Sequence, residues 1–166
     1  MKLDVFLNFE NNTEEVAAFY EKCFGIKAEG MMKYKDIPPS EDFEVSPSDT
    51  EKVMYVTLNF GSGSVMMWDL PSGYEGVVQG NNMTITITFD DAEKLDKVFE
   101  VMSEGGEVTM PLGETFFSKR YGELTDKFGV HWALLADDGT GNYQSGNEKE
   151  NLPDSTECIP KVEPRH

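Results

Sequence analysis

The hydrophobic pattern of the chain changes period in a regular order, and that order occurs twice. Residues 3–9, Leu-Asp-Val-Phe-Leu-Asn-Phe, are a short run dense in apolar and aromatic side chains, which predicts a strand. Asn11-Asn12-Thr13 follows as a helix N-cap signal, with Glu15 three positions after Asn12 at capping-box spacing. A cap of this kind contributes about 1 kcal/mol. Val16, Phe19, Tyr20 and Cys23 then recur at i, i+3, i+4 and i+7, one face of a helix, and Gly25 closes it.

The same order returns 79 positions later. Residues 83–89, Met-Thr-Ile-Thr-Ile-Thr-Phe, alternate polar and apolar as a half-buried strand does. Asp90-Asp91 offers caps, and Leu95, Val98, Phe99 and Met102 repeat the stripe one for one before Gly105-Gly106 ends the helix. Shared phase in cap and stripe points to a duplicated unit. Strand-like segments follow each helix, near 26–34, 52–60 and 64–70 in the first half and 106–112, 115–124 and 129–136 in the second. Gly61-Ser62-Gly63 supplies the last hairpin turn of the first unit, and Asp126-Lys127-Phe128-Gly129 that of the second.

Each half therefore reads β-α-β-β-β. The predicted organisation is a first module over 1–70, a Gly-, Pro- and Asn-rich linker over 71–82, a second module over 83–136 and an acidic extension over 137–166. Residues 35–51 form an acidic, Pro-bearing loop, either a solvated connection or a flap at a cavity mouth. The extension has the composition of a disordered tail, unless its own domain, a partner subunit or a crystal neighbour holds it.

Composition narrows the function classes. The formal net charge of -17 argues against nucleic acid, whose binding depends on neutralising phosphates, and against anionic membrane surfaces. Cys23 and Cys158 form no zinc-type pattern, and Cys23 falls on the apolar helix stripe as a core thiol. No signal peptide or membrane-length apolar run is predicted, so a cytoplasmic location is expected.

The strings Asn11-Asn12-Thr13-Glu14-Glu15, Phe19-Tyr20, Phe24-Gly25 and Gly80-Asn81-Asn82 set up a longer match. It is Gly105-Gly106-Glu107-Val108-Thr109-Met110-Pro111-Leu112, Thr115-Phe116-Phe117, Tyr121-Gly122, Thr125-Asp126-Lys127-Phe128-Gly129-Val130 and Trp132. This pattern resembles the PhnB-like branch of the vicinal oxygen chelate (glyoxalase/bleomycin resistance/dioxygenase) superfamily, over residues 3–136. The resemblance implies an α+β fold of two tandem βαβββ modules whose curved mixed sheets surround a cavity, assembled as a homodimer.

The resemblance also implies where metal ligands would stand, on the first and last strands of each module. Counting from the motif, these positions are Val5, Met67, Thr84 and Ala133. None offers the imidazole or carboxylate donors that a divalent metal needs, so no metal and no cofactor is expected. Tyr55 stands where relatives in this branch often carry a histidine. Members often bear a methyltransferase-like label, but no glycine-rich nucleotide loop follows a strand here.

Strand alternation from those positions predicts a cavity lined by Val5, Leu7, Tyr55, Met67, Thr84, Thr86, His131 and Ala133. On the same reasoning Phe9, Thr88 and Leu135 face the cavity, and Ile85, Ile87 and Phe89 face the second helix. His131 is the natural acid/base candidate, as the one internal group that ordinarily titrates near neutrality. Asp69 and Tyr55 are the accompanying catalytic candidates, and Arg120 is a candidate anion contact. Each also has an ordinary structural role open to it, as does Trp68 in packing, and the Met31-Met32 and Met66-Met67 pairs suit either an adaptable pocket or a core.

Three functions fit this reading. The first is metal-independent binding of a small molecule in the cavity. The second is a glyoxalase- or dioxygenase-type enzyme, working through metal ligands elsewhere or through acid/base chemistry at His131. The third is a structural or regulatory dimer with a vestigial cavity.

Overall fold

The structure is a computed structural model, and it describes residues 2–38 and 44–137. The middle of the acidic loop, residue 138 onward and Cys158 therefore lie outside the described residues. The first half holds β1 (Val5–Phe9), α1 (Thr13–Phe24), β2 (Ala28–Lys33), β3 (Val53–Asn59) and β4 (Ser64–Asp69). The second holds β5 (Ile85–Phe89), α2 (Ala92–Ser103), β6 (Glu107–Gly113), β7 (Arg120–Thr125) and β8 (His131–Ala136). The strand orders are β1-β4-β3-β2 and β5-β8-β7-β6. In each sheet the β1–β4 or β5–β8 pair is parallel and the other pairs are antiparallel. This is the predicted βαβββ duplication. The two sheets stay separate rather than closing on one another.

Both helix stripes do what their spacing predicts. Val16, Phe19, Tyr20 and Cys23 are buried, and so are Leu95, Val98, Phe99 and Met102. Asp91 caps α2 by accepting from the amides of Glu93 and Lys94. At α1 the expected capping box is replaced by a long-range cap. Asn12 makes no side-chain cap, and the Thr13 amide and hydroxyl instead donate to Asp69 Oδ1 at 3.0 and 2.7 Å. Gly25 ends α1 in the left-handed region at φ 66°, as the glycine signal predicts.

The edge strands are irregular where their sequence forces it. The β6–β7 register shifts between Val108 and Met110 and again between Met110 and Gly113, around Pro111, which has no amide to give to a ladder. Residues 115–119, expected to begin a strand, form a loop before β7. Two glycines of the long motif are required by close approach. A Cβ on Gly106 would strike the Thr125 carbonyl, and one on Gly122 would come within 2.9 Å of Phe99 and 3.0 Å of Leu112.

The core is one continuous cluster to which both modules contribute. Leu7, Phe9, Val56, Leu58, Val65 and Met67 meet α1 in the same cluster that holds Phe89, Leu124, Trp132 and Leu134. Aromatic rings bridge the halves: Tyr20 and Phe24 lie 5.3 and 5.6 Å from Trp132, and Phe9, Phe19 and Tyr20 surround Phe128. At their centre is Asp126. Its Oδ2 accepts from the Tyr20 hydroxyl at 2.7 Å and the Trp132 indole at 2.9 Å, and its Oδ1 accepts from the amides of Phe128 and Val130.

Removing Asp126 would strand two buried side-chain donors and two turn amides. Asp126→Ala is expected to cost about 3 kcal/mol or more of unfolding free energy in denaturant titrations. A loss under about 0.5 kcal/mol would show that the hub is dispensable. Burial, then the Asp126 charge and hydrogen bond, push the Tyr20 hydroxyl well above its ordinary 10.0. The folded chain then keeps a proton that the unfolded chain releases. Stability from this group is full below pH 10 and falls as pH rises beyond it. Cys23, Tyr34 and Tyr121 are each raised to about 12, mainly by burial, so they shift in the same direction. Tyr20→Phe should flatten part of that alkaline decline, measured from about pH 8 to about pH 11.

Candidate functional site

Both helices pack on one face of their sheets, and this sorts the candidate residues. In the first module Val5, Leu7 and Phe9 belong to the helix side, with Leu7 and Phe9 buried in the core. Met67, completely buried, is there too. The expectation that Val5, Leu7, Phe9 and Met67 face a cavity is therefore corrected. In β1 the helix face takes the more continuous apolar set, Val5, Leu7 and Phe9, and the parallel pairing carries that phase to Val65, Met67 and Asp69 of β4. The alternate positions form the helix-free face. Phe6 and Asn8 stand on β1, opposite Met66 and Trp68 of β4, and Thr57 continues the row from β3. Phe6 and Trp68 meet edge to face at 5.7 Å, and the Trp68 indole donates to Asn8 Oδ1. Tyr55 pairs with Met32 across β2–β3, and its ring lies 3.7 Å from the Cβ position of Gly30.

In the second module the expected phase holds. Ile85, Ile87 and Phe89 pack toward the core, while Thr86 and Thr88 are exposed on the other side. Thr86 pairs with Ala133 and Thr88 with Leu135, which continue to Glu123 and Tyr121 of β7. The helix-free face of this sheet thus reads Thr86–Ala133–Glu123 in one row and Thr88–Leu135–Tyr121 in the next. Thr84 precedes β5 and is exposed.

The catalytic candidates are separated, and two are engaged. Asp69 is buried, accepting from Thr13 through Oδ1 and from the Val53 amide at 2.9 Å through Oδ2. It ties α1 to β3 on the helix side. His131 lies on the helix-free side, with Nε2 3.1 Å from the Gly80 carbonyl and Nδ1 2.9 Å from the Thr125 hydroxyl. A carbonyl only accepts, so Nε2 carries the proton, and a neutral ring then accepts from Thr125 at Nδ1. The imidazole pins the linker to the sheet. Arg120 forms a bidentate pair with Asp96 of α2 at 2.8 and 2.7 Å, which holds the Asp96 carboxyl below its ordinary 3.8.

Glu123 and Tyr121 were missed by the sequence reading. The signal was present in β7, where Tyr121, Glu123 and Thr125 alternate with Gly122 and Leu124. The Tyr121 hydroxyl donates to Glu123 Oε1. An open depression of about 600 Å³ lies elsewhere, at the end of the second sheet, between Asn12, Gln79, Gly106, Lys127 and Phe128. None of the candidate residues lines it. Among the described residues no three His, Cys, Asp or Glu side chains group as a metal site would require. The corrected phase does not supply donors: Phe6 and Met66 of the first module, with Thr84 and Ala133 of the second, fit a divalent ion no better than the positions first counted.

Residues 2–134 match the Glyoxalase/Bleomycin resistance protein/Dioxygenase superfamily. The chain belongs to this superfamily. It is similar to the crystal structure of protein PA1353 from Pseudomonas aeruginosa, at 29% identity and TM-score 0.69, covering 82% of this chain and 98% of that one. It is also similar to a putative 3-demethylubiquinone-9 3-methyltransferase, PhnB protein, from Bacillus cereus, at 28% identity and TM-score 0.61, covering 82% and 100%. Protein YjdN of Escherichia coli (strain K12) is 25% identical over 141 residues, 81% of this chain and 94% of that protein. The PhnB-like resemblance read from the long motif therefore stands. Among the described residues no helix is long and apolar enough to cross a membrane.

The division between faces gives a stability test. Asp69→Ala, which frees the α1 cap and the Val53 amide, should cost on the order of 3 kcal/mol in urea unfolding. His131→Ala, losing two partly exposed hydrogen bonds, should cost about 1 kcal/mol. Equal, negligible losses would contradict the buried role given to Asp69.

Proposed function

We propose that this superfamily member is a cytoplasmic, metal-independent small-molecule binder that uses the helix-free faces of its sheets and works as a homodimer. The observation that carries the reading is the content of those faces. They present Phe6, Trp68, Met66, Tyr55 and Tyr121 beside Asn8, Thr57, Thr86, Thr88 and Glu123, side chains left over once the core and the buried carboxylates Asp69 and Asp126 are satisfied. Mixed aromatic, methionine and hydroxyl surfaces suit an apolar ligand with a few polar groups.

The dimer rests on exposed apolar surface. Phe6, Met31, Met32, Val108 and Met110 are each about 40% exposed, on or beside the helix-free faces and edge strands. A second copy would cover them and complete a site that each separate sheet leaves open. The Bacillus cereus neighbour's methyltransferase name is not carried over, because no glycine-rich nucleotide loop follows a strand in this sequence.

The test is a thermal melt of chelator-treated protein, alone, with Ni, Zn, Mn, Co or Fe(II), and with an organic-ligand library. A ligand at 100 times its dissociation constant adds roughly 2.7 kcal/mol, on the order of 5–10 °C at this chain length. The expected result is no such shift with any metal and a shift with library members. A shift of that size with one metal, or none across the library, would overturn the proposal.

A further inference from the structure

We infer that Glu123 and Tyr121 form the polar anchor of the site, and that the class of ligand it selects is an amine cation carrying an apolar body. The inference rests on the binding function proposed above and names its ligand class. Glu123 is half-buried in the row Met110–Glu123–Ala133–Thr86, on the helix-free face. Its neighbours there are a thioether, a methyl and a hydroxyl. The Tyr121 hydroxyl donates to one carboxylate oxygen. An ionised carboxylate can accept about four hydrogen bonds, so most of its capacity is unused. Among the described residues no Lys or Arg pairs with it.

The other carboxylates that hold the fold are not in this condition. Asp126 and Asp69 accept from four and three donors, and Asp96 is paired with Arg120. Glu123 therefore joins unfilled acceptor capacity to a row of aromatic rings, on the face that carries no helix. The body of the ligand is indicated by the rings beside it. Phe116 meets Phe117 edge to face at 5.0 Å, and Phe117 meets Tyr121 at 5.0 Å. Phe116 is 91% exposed, so this aromatic chain runs from the carboxylate out into solvent with its last ring uncovered. A cation beside such rings gains from their faces as well as from the carboxylate.

The experiment compares three probes of one shape on the full chain: 4-phenylbutylamine, 4-phenylbutanol and 4-phenylbutyrate. Binding is followed by ligand-observed NMR. The amine should bind about tenfold tighter than the alcohol, with the carboxylate weakest, because the ammonium adds an opposite charge to the hydrogen bond and the carboxylate probe a like one. Glu123→Gln should remove most of the amine's advantage over the alcohol. Glu100→Gln, an equal charge loss on the exposed surface of α2, should leave all three unchanged and excludes a mere net-charge effect. Amine and alcohol binding equally, or Glu123→Gln without effect, would overturn the cation anchor while leaving the binding function standing. No binding of any probe would overturn the anchor, and failure of the wider organic library as well would remove the binding function itself.

Discussion

A single buried carboxylate joins the two halves of this protein. Asp126 closes the β7–β8 turn with its own side chain and receives Tyr20 from the first module and Trp132 from the second. An unpaired carboxylate at that depth would be strongly unfavourable, and four donors make it tolerable. The geometry that supplies them also sets α1 against the core side of β8, with Phe128 packed among Phe9, Phe19 and Tyr20. Asp69 occupies a comparable post within the first module, where it caps α1 and fixes the start of β3. The helix sides of both sheets are thereby committed to structure.

That commitment separates what the sequence shows from what it hides. Both helix stripes, the duplicated element order and the two closing turns were legible, because 3.6-residue and two-residue periods are local properties of the chain. The long motif around Gly105–Trp132 was legible too, and its physical content is now visible. Gly106 and Gly122 allow close approach, Asp126 is the hub, and Trp132 is one of its donors. The phase of β1 and β4 was not recovered. Counting along the chain to inferred ligand positions put Val5, Leu7 and Met67 on the wrong face; alternation of apolar bulk in β1 would have placed Val5 and Leu7 against α1, and Met67 follows only from its pairing with Leu7. Asp69 looked like a free strand-end acid because its partners, Thr13 and Val53, lie 56 and 16 residues away.

The faces without helices follow a different logic. Their side chains are not needed to bury the core, so the chemistry of Thr86, Thr88, Tyr121 and Glu123 in one sheet and of Phe6, Asn8, Met66 and Trp68 in the other is not dictated by core packing. A superfamily that hosts many activities on one scaffold is expected to place its differences there. In this chain those positions hold aromatic, thioether and hydroxyl groups with one under-coordinated carboxylate.

The most direct test of this division is amide and methyl chemical-shift mapping of the labelled protein with any organic compound that stabilises it. The account predicts perturbations concentrated at Thr57, Met66, Thr86, Glu123, Ala133 and Leu135, with Leu58, Val65, Ile87 and Leu134 on the core side little changed. Perturbations centred instead on Asn12, Gln79 and Lys127, around the open depression at the sheet end, would contradict it.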